Sequence, residues 1–358
     1  MTTTISDKIS RLNYIGSKFQ LLDWLSESIL EKTGWDSFTN RTVADLFSGT
    51  GVVSYYFRKN GAIVISNDAE AYSSIITHAF TRSVYTSSCQ RILESFQNEL
   101  DEKKYLDTVG FVTKHYSPYQ ENERKFFTVD NAKRIDYLRT RIEESRPILS
   151  EDEYMFVLAS IIIAADAVSN VPAVYGCYLK QFKSKAEKAL HLRPIHTYTE
   201  LAPEKSVTYN LDVLHPDLLE SCKAELVYLD PPYNERQYSK NYFPLNVIAK
   251  QPKQEDDTFF LKGKTGIPSD CFLSPFCKKG AIVEKAFDTL FQKLDASWIF
   301  LSYNSESTVP KDTLLQIMGK YGKASVIERD YKRFKSFDYN KDVPIKEYLF
   351  CLEKIRDE

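Results

Sequence analysis

One stretch constrains this chain more than any other: residues 226–233, Leu-Val-Tyr-Leu-Asp-Pro-Pro-Tyr. Four consecutive apolar side chains read as a strand covered on both faces, which is the habit of parallel sheets in α/β folds. Pro231 and Pro232 have no backbone N–H to offer a ladder, so the strand has to stop at Asp230. A carboxylate is thereby set at the carboxyl end of a strand, where open α/β sheets hold their ligands. The two prolines stiffen an extended turn with outward carbonyls, and Tyr233 adds a flat ring. An amino group would find two acceptors here, and a base would find a surface to stack on. Asp230, Pro231, Pro232 and Tyr233 are therefore the candidate catalytic residues.

The rest of the α/β pattern lies on both sides of this stretch. A short strand at 43–47 runs into Phe47-Ser48-Gly49-Thr50-Gly51, a tight glycine turn ahead of a helix through Val53, Tyr56 and Phe57. Many nucleotide-binding folds carry such a turn. Asp45 beside it would repel a phosphate and suits a cationic ligand with an amino-acid end, which favours S-adenosylmethionine over a dinucleotide. A second strand at 62–66 ends in Asn67-Asp68, and Asp68 follows the turn at close to the ~20-residue spacing of a ribose-binding acid. Ahead of both, Tyr14-Ile15-Gly16-Ser17-Lys18 leads into a helix marked by Leu21, Leu22, Leu25 and Ile29. Gly16 permits a tight turn, Ser17 offers an N-cap, and Lys18 adds a positive charge at a helix start. Strand character returns at 207–211, ending at Asp212, then at 298–301 and 347–352.

Between these halves the pattern changes to long amphipathic helices, including a buried one at 154–168 behind the capping-box string Ser150-Glu151-Asp152-Glu153. This divides the chain into a catalytic domain of residues 1–85 and 206–358 and a helical target-recognition domain of residues 86–205. The insertion interleaves tyrosines with lysines, as a phosphate-tracking surface with stacking side chains needs. Tyr175, Lys180, Lys183 and Lys185 are its candidate DNA contacts, with Arg124, Lys125, Lys133, Arg134, Arg139 and Arg141 extending the patch. Beyond Tyr233, the run Asn234, Arg236, Gln237, Tyr238 and Asn241 is dense in donors and aromatic rings beside the reaction centre. Residues 249–280 are polar, rich in Pro and Gly and without periodicity, which reads as a long functional loop.

Bulk properties set the limits. A formal net charge of -2 over 358 residues excludes coating nucleic acid through overall charge, so contacts have to be local patches. Residues 1–10 carry no apolar secretory segment, and the longest apolar run, 155–165, is too short for a bilayer. The six cysteines are scattered without metal-ligand spacing, so no metal site is expected and reduced thiols in a cytoplasmic protein are.

Taken together, Asp-Pro-Pro-Tyr, the glycine turn, the acid after the second strand and the Tyr-Ile-Gly-Ser-Lys start resemble motifs IV, I, II and X of the alpha-arranged DNA adenine-N6 methyltransferases. The resemblance covers essentially the whole chain, and Tyr303 lies in a Ser-Tyr-Asn-Ser-Glu segment similar to one in restriction–modification members. It implies a Rossmann-like, seven-stranded sheet with a reversed final hairpin and a helical insertion, and S-adenosyl-L-methionine as methyl donor. The implied substrate is double-stranded DNA with a flipped adenine, and the implied partner is a cognate restriction endonuclease. It further implies that Tyr14, Gly16, Lys18, Asp45, Phe47, Gly49, Gly51, Asp68, Asp212 and Asp230 surround the cofactor, and that Tyr303 joins the DNA contacts. Cytosine N4 or RNA are the alternative substrates in the same fold. Asp230 argues against a protein glutamine amide, for which Asn is usual at that position.

Overall fold

The computed structural model describes residues 10–199, 205–252, 259–331 and 345–355. Its centre is a seven-stranded sheet built from β1 (Thr42–Asp45), β2 (Ile63–Asn67), β3 (Val207–Tyr209), β4 (Lys223–Leu229), β7 (Asp295–Asn304), β8 (Gly322–Tyr331) and β9 (Ile345–Lys354); β5 (Leu261–Lys262) and β6 (Ile267–Pro268) form a separate small hairpin. The order is β3-β2-β1-β4-β7-β9-β8. Every pairing from β3 to β7 is parallel, and β9 runs antiparallel to both β7 and β8. The chain builds outward from β1 through β2 to β3 and then returns to place β4 on the other side of β1. That reversal opens a crevice at the carboxyl ends of β1 and β4. Leu226, Val227, Tyr228 and Leu229 are fully buried, as their apolar run required. Each contributes on the order of 1.5–3 kcal/mol of burial.

Helices α1 (Leu22–Thr33), α2 (Val52–Lys59) and α3 (Ala71–Thr81) accompany the first strands. The insertion supplies α4 (Ser87–Asp101), α5 (Phe111–Tyr116), α6 (Val129–Ser145) and α7 (Glu151–Ala167). The capping box forms as its string demands, with Ser150 Oγ accepting from the Glu153 amide and the Glu153 carboxylate accepting from the Ser150 amide. Because α7 is apolar on nearly every side, it is buried on nearly every side. It packs into a single core shared with α3 and with the helix Phe243–Lys250. The insertion helices thus lean directly on the elements that flank the crevice.

Ser17 departs from its expected role. It stands before a short 3-10 helix, Lys18–Leu21, and makes no side-chain cap bond, because α1 starts only at Leu22. The segment read as one long loop at 249–280 contains, among its described residues, the β5–β6 hairpin and a 3-10 turn at Pro275–Cys277.

Candidate active site

A cleft at the carboxyl edge of β1, β2 and β4 gathers residues from three stretches of the chain, 14–70, 212–238 and 272–277. Tyr14, Gly16, Lys18, Asp45, Phe47, Gly49, Asp68, Asp212, Asp230, Pro231, Pro232 and Tyr233 all line it. Gly51 does not reach the lining. It starts α2 at φ 73°, and a Cβ there would come within 2.9 Å of Phe80 and Thr77, so the glycine serves the close approach of α2 to α3. Gly49 serves the cleft itself: its φ is 52°, and a Cβ would press on the Tyr14 ring at 3.3 Å.

The turn is fastened to the neighbouring strand end. The Gly49 amide donates to Asp68 Oδ2 at 2.7 Å, while Asp68 Oδ1 accepts from the Glu70 amide at 2.9 Å. Asp68 therefore ties the turn and also closes the bend at Glu70, the residue ahead of α3, and burial pushes its carboxyl above the usual range. Asp45 Oδ2 accepts from Ser54 Oγ at 2.6 Å, whereas Asp45 Oδ1 is buried with no partner. Burial carries Asp45 up to about 7, with Asp230 and Asp68 adding to the shift and Ser54 opposing it. Asp212 spends one oxygen on the Leu214 amide.

The segment before Lys18 is clamped across the mouth of the cleft. Asp166 of α7 accepts from the Asn13 amide at 2.9 Å, and the Ile15 amide donates to the Tyr242 hydroxyl at 3.0 Å. Tyr14 stacks on Tyr242 at 4.8 Å between centroids. The Lys18 ammonium lies 3.0 Å from Asp230 Oδ1, 3.3 Å from Glu347 Oε1, and 4.5 Å from the centre of the Tyr233 ring. Burial pushes Asp230 upward and Lys18 opposes it. For Lys18 the balance is reversed, since its two carboxylate partners outweigh burial and hold it above the ordinary lysine value. Tyr233 is fixed by its hydroxyl, which donates to Glu347 Oε1 at 2.8 Å.

Several expected DNA contacts lie elsewhere. Tyr175 is 1 % exposed, its hydroxyl bonded to Asp166 at 2.8 Å, because its tyrosine-rich stretch turns inward to the shared core. Lys183 donates to the Val171 carbonyl at 2.8 Å, and Lys185, half-buried, donates to Ser169 Oγ at 3.3 Å. Both ammonium groups thus hold loops of the insertion together. Tyr303 is buried with its hydroxyl on Thr308 Oγ1, and its ring meets Tyr233 edge to face at 5.1 Å. Gln237 and Tyr238 line the cleft, and Gln237 exchanges two bonds with the backbone of Ser274. Asn241 gives its backbone carbonyl to the Tyr175 amide. Among the basic residues of the insertion, Arg134, Arg139 and Arg141 are ion-paired to Asp130, to Glu143, and to Glu99 with Glu144. Arg124 donates to backbone carbonyls at 115, 263 and 264. Lys180, Asn234 and Arg236 are exposed.

The sequence reading missed Glu70, Phe272, Ser274 and Cys277, which line the cleft, and Glu347 behind it. Glu347 left a signal, a charge directly before the apolar run Tyr348–Leu352 of the closing strand; the 272–277 segment left none. All six cysteines are free thiols, and no cluster of metal-ligating side chains occurs among the described residues. No helix among them is long and apolar enough to cross a membrane.

Residues 14–311 match the family model of the D12 class N6 adenine-specific DNA methyltransferases. This chain belongs to that family. The methyltransferase is 38% identical to the type II methyltransferase M.CviAII of Paramecium bursaria Chlorella virus 1, over 96% of this chain and 98% of that one. It is 35% identical to M.NlaIII of Neisseria lactamica, over 96% and 99%. With M.FokI of Planomicrobium okeanokoites the identity is 32%, over 96% of this chain and 53% of that protein. The methyltransferase modifies the N6 amine of adenine in DNA at specific sites, with S-adenosyl-L-methionine as donor, so the cytosine and RNA alternatives fall away. Its cleft fits that donor. Among the described residues, five carboxylates line it (Asp45, Asp68, Glu70, Asp212 and Asp230) against one cation, Lys18, and one buried oxygen of Asp45 makes no hydrogen bond.

Proposed function

We propose the following division of labour for adenine methylation by this chain. Asp230 and the Pro231 carbonyl accept the two hydrogens of the adenine amine, and Tyr233 stacks against the extruded ring. Asp45 and Asp68 hold the cofactor by its cationic methionine end and its ribose, with Tyr14, Phe47, Gly49 and Asp212 closing around it. S-adenosyl-L-methionine supplies a methyl group already activated by its sulfonium charge. The observation that carries this reading is the meeting of Asp230, Pro231 and Tyr233 with the glycine turn in one cleft. The adenine amine is a poor nucleophile because its lone pair is delocalised into the ring. Two acceptors favour the pyramidal geometry in which that pair is free, so alignment in a dry site supplies much of the acceleration. Reaching the cleft from a duplex requires extrusion of the base, at a cost of a few kcal/mol that stacking on Tyr233 offsets in part.

Residues 86–205 are the target-recognition part in this reading, with Lys180 on its surface and Asn234 and Arg236 at the lip of the cleft as DNA contacts. A cytoplasmic setting and a cognate endonuclease cutting the same site complete it. The experiment is methyl transfer from labelled cofactor to duplexes of varied sequence, with the modified base mapped, in wild type and in Asp230→Ala and Tyr233→Ala. Undiminished transfer by both variants would refute the assigned roles. For the partner, site-methylated DNA has to resist cleavage in extracts that cut unmodified DNA.

A further inference from the structure

The last strand of the sheet brings a charge to a place where neither cofactor chemistry nor DNA contact requires one. Glu347 pairs across β9 and β7 with Asn304, at the same edge of the sheet as Asp230 only because β9 runs backwards. It is 3 % exposed. One of its oxygens, Oε1, serves two donors, the Tyr233 hydroxyl at 2.8 Å and the Lys18 ammonium at 3.3 Å. The same ammonium reaches Asp230 and lies over the Tyr233 ring. Tyr233 is held at two further points, its ring edge by Tyr303 and its carbonyl by the Thr308 amide at 3.1 Å. The contact with Tyr303 restrains rotation of the ring about the Cβ–Cγ bond, and the hydroxyl bond, made at the far end of that axis, fixes where the axis itself points and so where the ring stands in the cleft.

Resting on the roles given above to Asp230 and Tyr233, we propose that Glu347 is a positioning residue for methyl transfer: anchored by Lys18, it holds the Tyr233 hydroxyl so that the stacking ring stands in one place against the extruded adenine. Glu347 touches neither substrate nor cofactor in this role. It acts through Tyr233, which makes acceptor position matter more than charge.

Four variants of the full-length protein separate position from charge. Glu347→Gln keeps an acceptor of the same reach without the charge. Glu347→Asp keeps the charge and draws the acceptor back by one methylene. Glu347→Ala removes both, and Tyr233→Phe removes the donor. The expected order of kcat on duplex DNA is wild type, then Glu347→Gln within a fewfold, then Glu347→Asp, Glu347→Ala and Tyr233→Phe together about 10- to 100-fold lower, the loss of one hydrogen bond to a charged acceptor. Affinity for S-adenosyl-L-methionine stays within twofold throughout, and 2-aminopurine at the target position brightens less in the three slow variants. Adding Glu347→Ala to Tyr233→Phe brings far less further loss than the product of the two single losses, because both break the same hydroxyl bond and only the Lys18 ion pair goes in addition. Glu347→Asp near wild type with Glu347→Gln slow would overturn the proposal, since charge against Lys18 would then be the role. Full additivity in the double variant would overturn it too. If Asp230→Ala and Tyr233→Ala both methylate normally, the underlying assignment fails; if they are inactive while every Glu347 variant is wild type, Glu347 alone falls.

Discussion

The crevice of the sheet and the surface of the helical insertion drew on the same kinds of residue and obeyed the sequence very differently. At the crevice, nine of the ten residues expected round the cofactor line one cleft, with Gly51 the exception. On the insertion, Tyr175, Lys183 and Lys185 proved to be internal braces. The difference lies in what fixes a side chain. A residue at the carboxyl end of a buried parallel strand has its position set by the ladder and its direction by the pleat. A lysine between helices has a long flexible stem that goes to whichever carbonyl or solvent suits it.

That contrast can be broken by experiment. The largest effect belongs to Asp230→Ala, which removes the acceptor that orients the amine: methyl transfer measured with labelled cofactor should fall by roughly 10²- to 10³-fold or more while the protein still binds duplex. Asp45 comes next. Its folded value near 7 lies above that of an unfolded aspartate, so the fold holds the proton and unliganded stability declines as pH rises from about 4 through 7. A cationic cofactor favours the ionised form, so its affinity should climb by up to about tenfold per pH unit below 7 and level off above, with proton uptake by buffer visible in calorimetry. In Asp45→Asn that slope should vanish, although Asp68, Glu70 and Asp230 remain in the cleft; an unchanged slope would remove Asp45 from the site. Lys180→Ala should lower the slope of log DNA affinity against log salt by about one unit, whereas Lys183→Ala should leave it alone and reduce the melting temperature instead. A reversed outcome would return Lys183 to the DNA surface. The smallest effect is that of Tyr175→Phe, expected to cost about 1–3 kcal/mol in urea unfolding through the weakened satisfaction of Asp166, with DNA affinity untouched.

Much of the fold was legible because local rules and global topology agree in it. The apolar run before Asp230, the string Ser150 to Glu153 and the glycines at 49 and 51 each have one backbone solution, and the sheet adopts them all. Glu347 and the 272–277 wall were hidden for a common reason. Their partners, Tyr233 and Gln237, are far along the chain: the charge at 347 marks the residue without naming its partner, and nothing local marks the meeting of Ser274 with Gln237. The buried tyrosine of the insertion was misread because an aromatic among lysines has the same composition whether it faces a base or a core. Only the carboxylate of Asp166 on α7, which captures it, decides the matter.

The backward course of β9 has a consequence for how the protein is made. Lys18 and Glu347 lie far apart along the chain, so the ion pair joining them cannot form until synthesis has passed residue 347. At about 5–20 residues per second, roughly 6–23 s separate Tyr233 from Glu347, and in that interval Asp230, Tyr233 and Lys18 are present but lack their common anchor. The methyltransferase therefore completes its centre only when β9 has been made. Truncated products of interrupted translation would carry the cleft without the anchoring carboxylate.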